Sequence, residues 1–271
     1  MMQDLAGRVA VITGGASGIG LATARALAGE KMRIVLADIE QGPLDSAVKE
    51  IEGFGVEALS VRTDVGDLKQ VQALADKTWE RFGGAHVVFN NAGVAVFGPI
   101  QDMKHEDWEW VLRVDLWGVI HGVEAFLNRM IAQKQGGHIV NTASFAGLAP
   151  NRGLGAYCVA KYGVVALSEC LARDVKEHGI GVSVLCPMIL ATNIDHSERN
   201  RPAELGGAKA QRQQTSAEQQ SMRGRVLTPE LAAEKVVQAI KSGELYIHTH
   251  EEARDFVRRR FERIDRAFNN M

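Results

Sequence analysis

Residues 9–20 read VAVITGGASGIG. Four apolar residues and a threonine run straight into glycines spaced Gly-x-x-x-Gly-x-Gly, and an amphipathic stretch begins at 18. An unbroken, β-branched run is what a strand buried on both faces requires, since neither face meets water. A strand that enters a helix through glycines lets backbone N–H groups approach a phosphate, with the positive end of the helix behind them. The spacing differs from the familiar GxGxxG fingerprint. The turn therefore counts chiefly for its place between an N-terminal strand and a helix.

The same rhythm repeats along the chain. Further strands are predicted at 33–37, 57–61, 86–90, 138–142, 181–186 and 245–249. Between them the spacing predicts helices at 18–29, 42–53, 67–82, 104–134, 155–178 and 228–242. Such alternation implies an α/β fold: a Rossmann-type, doubly wound parallel sheet of about seven strands with helices on both faces. No linker or internal repeat divides residues 1–271, so a single domain is expected.

Two segments break the pattern. Residues 193–225 are polar, rich in Gln and Arg, and follow the sixth strand at the edge where open α/β sheets bind ligands. They are expected to form a mobile substrate lid, because so little apolar surface cannot offset the entropy of ordering. In 251–271, Val257, Phe261, Ile264 and Phe268 form one helical stripe, with RRR at 258–260 mostly elsewhere. The interspersed acids argue against an anionic-surface helix. Docking on the chain's own domain or on a sister subunit is expected.

The net charge of −2 supplies no basic footprint for nucleic acid or a membrane surface. The opening residues lack a basic n-region, an apolar h-region and a small-residue cleavage site, so no secretory leader is expected, and no apolar run is long enough to span a bilayer. Cys158, Cys170 and Cys186 have no metal or redox spacing, and HTH at 248–250 has no evident third ligand. No metal is expected. A reducing, cytoplasmic setting is.

Asp38 ends the second strand, eighteen residues past Gly20. A carboxylate there accepts hydrogen bonds from ribose hydroxyls and repels a 2′-phosphate. With no Arg or Lys at 14–20 or 38–40, NAD is expected rather than NADP.

Several motifs now stand in register: TGGASGIG at 13–20, DV at 64–65, NNAG at 90–93, TAS at 142–144 and YCVAK at 157–161. Together they resemble the short-chain dehydrogenase/reductase family from about residue 5 to 192. The resemblance implies that Gly14, Ser17, Gly18, Ile19 and Gly20 hold the pyrophosphate. Asp38 would take the adenosine ribose, and Asp64 with Val65 the adenine edge. Asn90, Asn91 and Gly93 would line the cofactor path. In PMILAT, Pro187 and Thr192 match the family's nicotinamide contacts, while Met188 stands where a glycine is usual. Asp115 stands where the family has an asparagine, a residue tied to a local helix distortion whose carbonyl holds a relay water. Asp115 either substitutes adequately or impairs the relay. A homodimer or homotetramer, joined through the helices at 104–134 and 155–178, is also implied.

The chemistry centres on Tyr157 and Lys161, four apart and so on one helical face. Ionising a phenol of ordinary pKa at neutral pH costs about 4 kcal/mol. An ammonium about 5 Å away, at an effective dielectric near 20, returns roughly 3 kcal/mol. Lys161 thus makes Tyr157 usable as a general acid/base. Ser144, just past the fifth strand, can hold the substrate oxygen; the competing role is a helix-capping serine. The catalytic set is Ser144, Tyr157, Lys161 and Asp115. The expected activity is hydride transfer between NAD(H) and a hydrophobic secondary alcohol or ketone, given the apolar residues Phe145, Leu148, Met188, Ile189 and Leu190. LYIHTH and the VNTAS region also resemble bacterial dehydrogenases acting on lignin-derived aryl alcohols. The alternative is a catalytically impaired dinucleotide-binding sensor or scaffold.

Overall fold

The computed structural model describes residues 2–208 and 225–268. In the glycine-rich opening stretch, β1 (Val9–Thr13) runs into α1 (Gly18–Gly29). Then come β2 (Arg33–Asp38), α2 (Gln41–Glu52), β3 (Ala58–Arg62), α3 (Leu68–Phe82) and β4 (Val87–Asn90). The second half holds α4 (His105–Leu112), α5 (Gly118–Gln133), β5 (Gly137–Thr142), α6 (Gly155–Asp174), β6 (Ile180–Cys186), α7 (Pro229–Ser242), β7 (Tyr246–His248) and α8 (Ala253–Phe268). All strands pair in parallel in the order β3-β2-β1-β4-β5-β6-β7. This is the expected doubly wound sheet.

Strand periodicity explains the two cores. In β1, Ala10 and Ile12 face Leu27 of α1 and Val236 and Ile240 of α7. Val9 and Val11 face the opposite layer, with Leu74 of α3, Phe126 of α5 and Leu171 of α6. Both faces are dry, which is why this strand is apolar throughout rather than alternating.

The order reverses between β1 and β4, so the strands' carboxyl ends part there and leave a crevice. The long helix predicted at 104–134 is not uniform. Between α4 and α5, Arg113–Trp117 forms a π-helical turn. It slips the helix register and turns Asp115 fully inward.

Part of the expected lid is more firmly held than its composition implies. Residues Ile194–Asn200 and Ala203–Leu205 form 3₁₀ turns. Arg201 is buried, ion-paired to Asp107 of α4 at 2.6 Å and stacked on the Trp110 ring at 5.2 Å. Ser197 and Leu205 are buried with it. Counting only apolar side chains missed an arginine as an anchor. Residues 209–224 of that segment lie outside the described residues.

The stripe on α8 docks only at its beginning. Ala253 and Val257 pack on Phe145, Ala149 and Met188. Phe261, Ile264 and Phe268 are exposed. No helix among the described residues is long and apolar enough to cross a membrane.

Candidate active site

A cavity of about 320 Å³ occupies the crevice. One end is the glycine turn. Gly14 and Gly18 have φ of +62° and +52°, conformations that a side chain resists. A Cβ on Gly14 would lie 2.9 Å from the Cα of Ala92, so the turn sits close against the chain beyond β4. Ser17 caps α1 without bonding its side chain to the helix, leaving the hydroxyl free to face the cavity beside the helix N-terminus. Glycine backbone, free hydroxyl and helix terminus together fit a pyrophosphate.

Most of the expected cofactor residues meet here. Gly14, Ser17, Gly18, Ile19, Asp38 and Asp64 line the cavity, as do Val65, Asn91, Gly93, Pro187 and Thr192. The Asp38 carboxylate accepts the N–H groups of Ala16 and Glu40, both at 3.1 Å. Burial pushes its pKa up against those backbone bonds. Asp64 is partly committed already, accepting Gly66 N–H at 2.8 Å and pairing with Arg113 at 3.1 Å.

Two residues sit elsewhere. Gly20 lies behind the turn and does not line the cavity; a Cβ there would be 2.1 Å from the Gly14 carbonyl oxygen, so its lack of a side chain lets the turn pack closely on α1. Asn90 is buried between strands and donates to Asn141 Oδ1 at 2.9 Å, with Gly122 pressed against it. Asn91 instead braces the turn, its amide donating to the Thr13 carbonyl at 3.0 Å.

Tyr157 and Lys161 project from the first turns of α6. Lys161 is 1% exposed. Its Nζ lies 5.4 Å from the Tyr157 ring centre, donates to the Thr142 carbonyl at 3.0 Å and contacts Asp115 Oδ2 at 3.0 Å. Ser144 and Tyr157 line the cavity together, and the serine hydroxyl works to lower the phenol's pKa while donating to the Pro187 carbonyl at 3.4 Å. The Ser144 hydroxyl also accepts the Ala146 N–H at 3.1 Å, capping the short turn Phe145–Gly147. The capping role weighed in the sequence is therefore filled, and the same residue lines the cavity.

Asp115 departs from what the family resemblance implies. Its carboxylate, not only its backbone, enters the site: Oδ1 accepts the Val94 N–H at 2.8 Å while Oδ2 meets Lys161. Gly93 lies directly beside the pair, where a Cβ would be 3.4 Å from Oδ2 and 3.6 Å from Lys161 Nζ, both ordinary contact distances. Burial pushes Asp115 up, opposed by Lys161 and the Val94 N–H. Burial also works to discharge Lys161, but Asp115 and Tyr157 outweigh it and hold the ammonium above its ordinary pKa. At 3.0 Å with a backbone donor on the far oxygen, the charged pair is the form this geometry suits.

The consequence for Tyr157 corrects the simple two-residue estimate. Burial chiefly raises the phenol's pKa, Lys161 lowers it, and Asp115 raises it again. In the chain alone the net direction is up. Desolvation and the carboxylate together outweigh the lysine.

Beyond Tyr157 the cavity is apolar, lined by Phe97, Phe145, Leu154, Met188, Ile189 and Leu190, with Asn151 as a polar contact. Leu148 packs instead toward Val119 and Val164. Phe97 and Leu154 had no readable signal. They arrive through a bridge between two loops, Gly98 pairing with Leu154. Met188, in place of the usual glycine, needs no left-handed backbone; its side chain joins Phe145 and α8.

A doubly wound sheet with this turn at its switch point and a serine, tyrosine and lysine at its carboxyl edge defines the class. The chain belongs to the short-chain dehydrogenase family, whose sequence pattern matches residues 8–203. It is an oxidoreductase of that type. It is similar to a short-chain dehydrogenase/reductase from Burkholderia phymatum, solved in complex with NAD: 40% identity, TM-score 0.89, covering 97% of this chain and 95% of that one. It is 35% identical over 265 residues to a C alpha-dehydrogenase of Sphingobium sp. strain NBRC 103272 / SYK-6, covering 97% of this chain and 87% of that protein. A CLA biosynthesis dehydrogenase/reductase of Lactiplantibacillus plantarum is 30% identical over 271 residues, covering 97% and 95% respectively.

Proposed function

We propose that the chain binds NAD(H) and interconverts hydrophobic secondary alcohols, aryl-substituted ones included, with their ketones, Tyr157 serving as general acid/base. The observation that carries this reading is Tyr157 itself, its ring centre 5.4 Å from Lys161 Nζ, sharing an otherwise largely apolar cavity with Ser144. The similarity to an NAD-bound relative supports the cofactor, and the C alpha-dehydrogenase relative supports an alcohol substrate.

Bound NAD supplies the hydride acceptor. The chain's residues do the rest. Ser144 holds the substrate hydroxyl against Tyr157 Oη. The Tyr157 phenolate takes the hydroxyl proton as the carbinol carbon is oxidised. Lys161 stabilises the phenolate, and Asp115 keeps Lys161 charged and oriented toward the Thr142 carbonyl. Phe97, Phe145 and Met188 exclude water and favour a flat or bulky apolar group. In reduction the proton returns from Tyr157 to the substrate oxygen.

The buried Asp115–Lys161 pair also favours a second reading, a dinucleotide-binding sensor that turns over slowly. Steady NADH production from a panel of secondary aryl and alkyl alcohols separates the two. Binding of NADH without turnover of any of them would overturn the enzyme reading. Assembly as a homodimer or homotetramer through α4–α5 and α6 is supported by Trp117 and Val159, exposed at 52% and 51%. A cytoplasmic setting and lid action by 193–225 belong to the same proposal.

A further inference from the structure

The stretch after Thr192 does more than flank the substrate. As the 3₁₀ turn Ile194–Asn200 crosses the cavity, it carries Arg199 to the turn between β2 and α2. There the guanidinium forks onto Glu40, Nε to Oε1 at 3.0 Å and Nη2 to Oε2 at 2.5 Å. Both residues line the cavity. Glu40 lies two positions past Asp38 and donates its own N–H to that carboxylate. The loop under Arg199 is fixed in place: the Ser197 hydroxyl accepts the Ala95 N–H at 3.0 Å, and Arg201 is buried against Asp107. Asp38 also contributes to the field at Arg199.

The charge arrangement is therefore different from what the chain near Asp38 implies. No cation lies at 38–40 in sequence, yet an arginine stands at that edge in space. A guanidinium fork matches phosphate as well as carboxylate, and it binds whichever anion is offered. Here Glu40 fills it.

We infer that Glu40 is a selectivity residue: by occupying the Arg199 fork it denies a 2′-phosphate the cation that would otherwise receive it, acting together with repulsion from Asp38. Removing Asp38 alone then leaves the fork still filled. Removing Glu40 frees an arginine already aimed at the adenosine end. The inference rests on the proposed dinucleotide binding and assigns to this loop a part in cofactor choice.

Equilibrium binding of NADH and NADPH, followed by ligand fluorescence, tests it without reference to turnover. Glu40→Gln should narrow the NADH-to-NADPH affinity ratio by roughly ten- to hundredfold, the range that one charge-assisted contact supports. Adding Arg199→Gln should remove that gain while NADH still binds. Asp38→Asn with Glu40→Gln should favour NADPH further than either change alone. An unchanged ratio in Glu40→Gln, or a gain that persists in Glu40→Gln/Arg199→Gln, overturns the inference. Failure of the unaltered chain to bind NADH would instead overturn the proposed function, so the two failures are distinguishable. Circular dichroism on each variant confirms that the fold is kept.

Discussion

Asp115→Asn is the most informative single change, because the side chain keeps its shape and loses only its charge. The amide oxygen can still accept the Val94 N–H, now at 2.8 Å from Oδ1. Oδ2 is 3.0 Å from Lys161 Nζ, which is 5.4 Å from the Tyr157 ring centre. The carboxylate thus lies within about 8.4 Å of the ring, where a unit charge at an effective dielectric near 20 contributes about 2 kcal/mol. That charge raises the phenol's pKa and offsets much of the lowering by Lys161. Without it, Lys161 loses one of the two main groups that hold it charged against burial, but the Tyr157 phenolate remains as the other. The field of the ammonium at the phenol is then no longer offset by a carboxylate. The assay is kcat against pH for oxidation of a reactive secondary alcohol at saturating NAD. Oxidation needs the phenolate, so the rate climbs with pH up to the tyrosine's pKa. In the variant that limb should move toward acid, raising the rate below it by about tenfold once the weaker basicity of the phenolate is allowed for. A limb that stays in place, in a variant that folds and binds NADH, would refute the electrostatic reasoning.

Two further outcomes follow from buried charge. Arg201→Ala removes the buried guanidinium that Asp107 and Glu198 share and the anchor from the 194–205 turns, so unfolding in urea should show a loss of about 3–5 kcal/mol, the range for breaking a buried pair. His138 is held down at about 4, chiefly by burial, from an ordinary 6.5. Its Nε2 donates to Ser183 Oγ at 2.8 Å while that hydroxyl donates to the Glu244 carbonyl. The unfolded chain takes up the proton first, so stability present above pH 6.5 should fall by about 3 kcal/mol as pH drops through 4. Urea midpoints against pH check this, and His138→Gln should flatten that limb.

What the sequence made legible was set by periodicity. Strands such as Val9–Thr13 and Ile180–Cys186 are dry on both faces, so composition alone marks them. Tyr157 and Lys161 share a helix, and four-residue spacing fixes their proximity. The π turn at Arg113–Trp117 has no such periodic signature; the family resemblance, not spacing, points to a distortion at Asp115, which the turn brings against Val94 and Lys161. Asn90 and Asn91 are neighbours with similar chemistry, and only the strand's end decides that one is interior and the other braces the turn. Arg199 and Glu40 are 159 positions apart. Their pairing depends on a loop path no local pattern encodes.

The central claim is that a phenol moves the substrate's proton beside a dinucleotide. Tyr157→Phe removes one oxygen and keeps the ring under Lys161. Oxidation of the best alcohol should drop by roughly 10²–10⁴-fold in kcat, with NADH affinity and melting temperature nearly unchanged. Turnover at the rate of the unaltered chain would contradict the account.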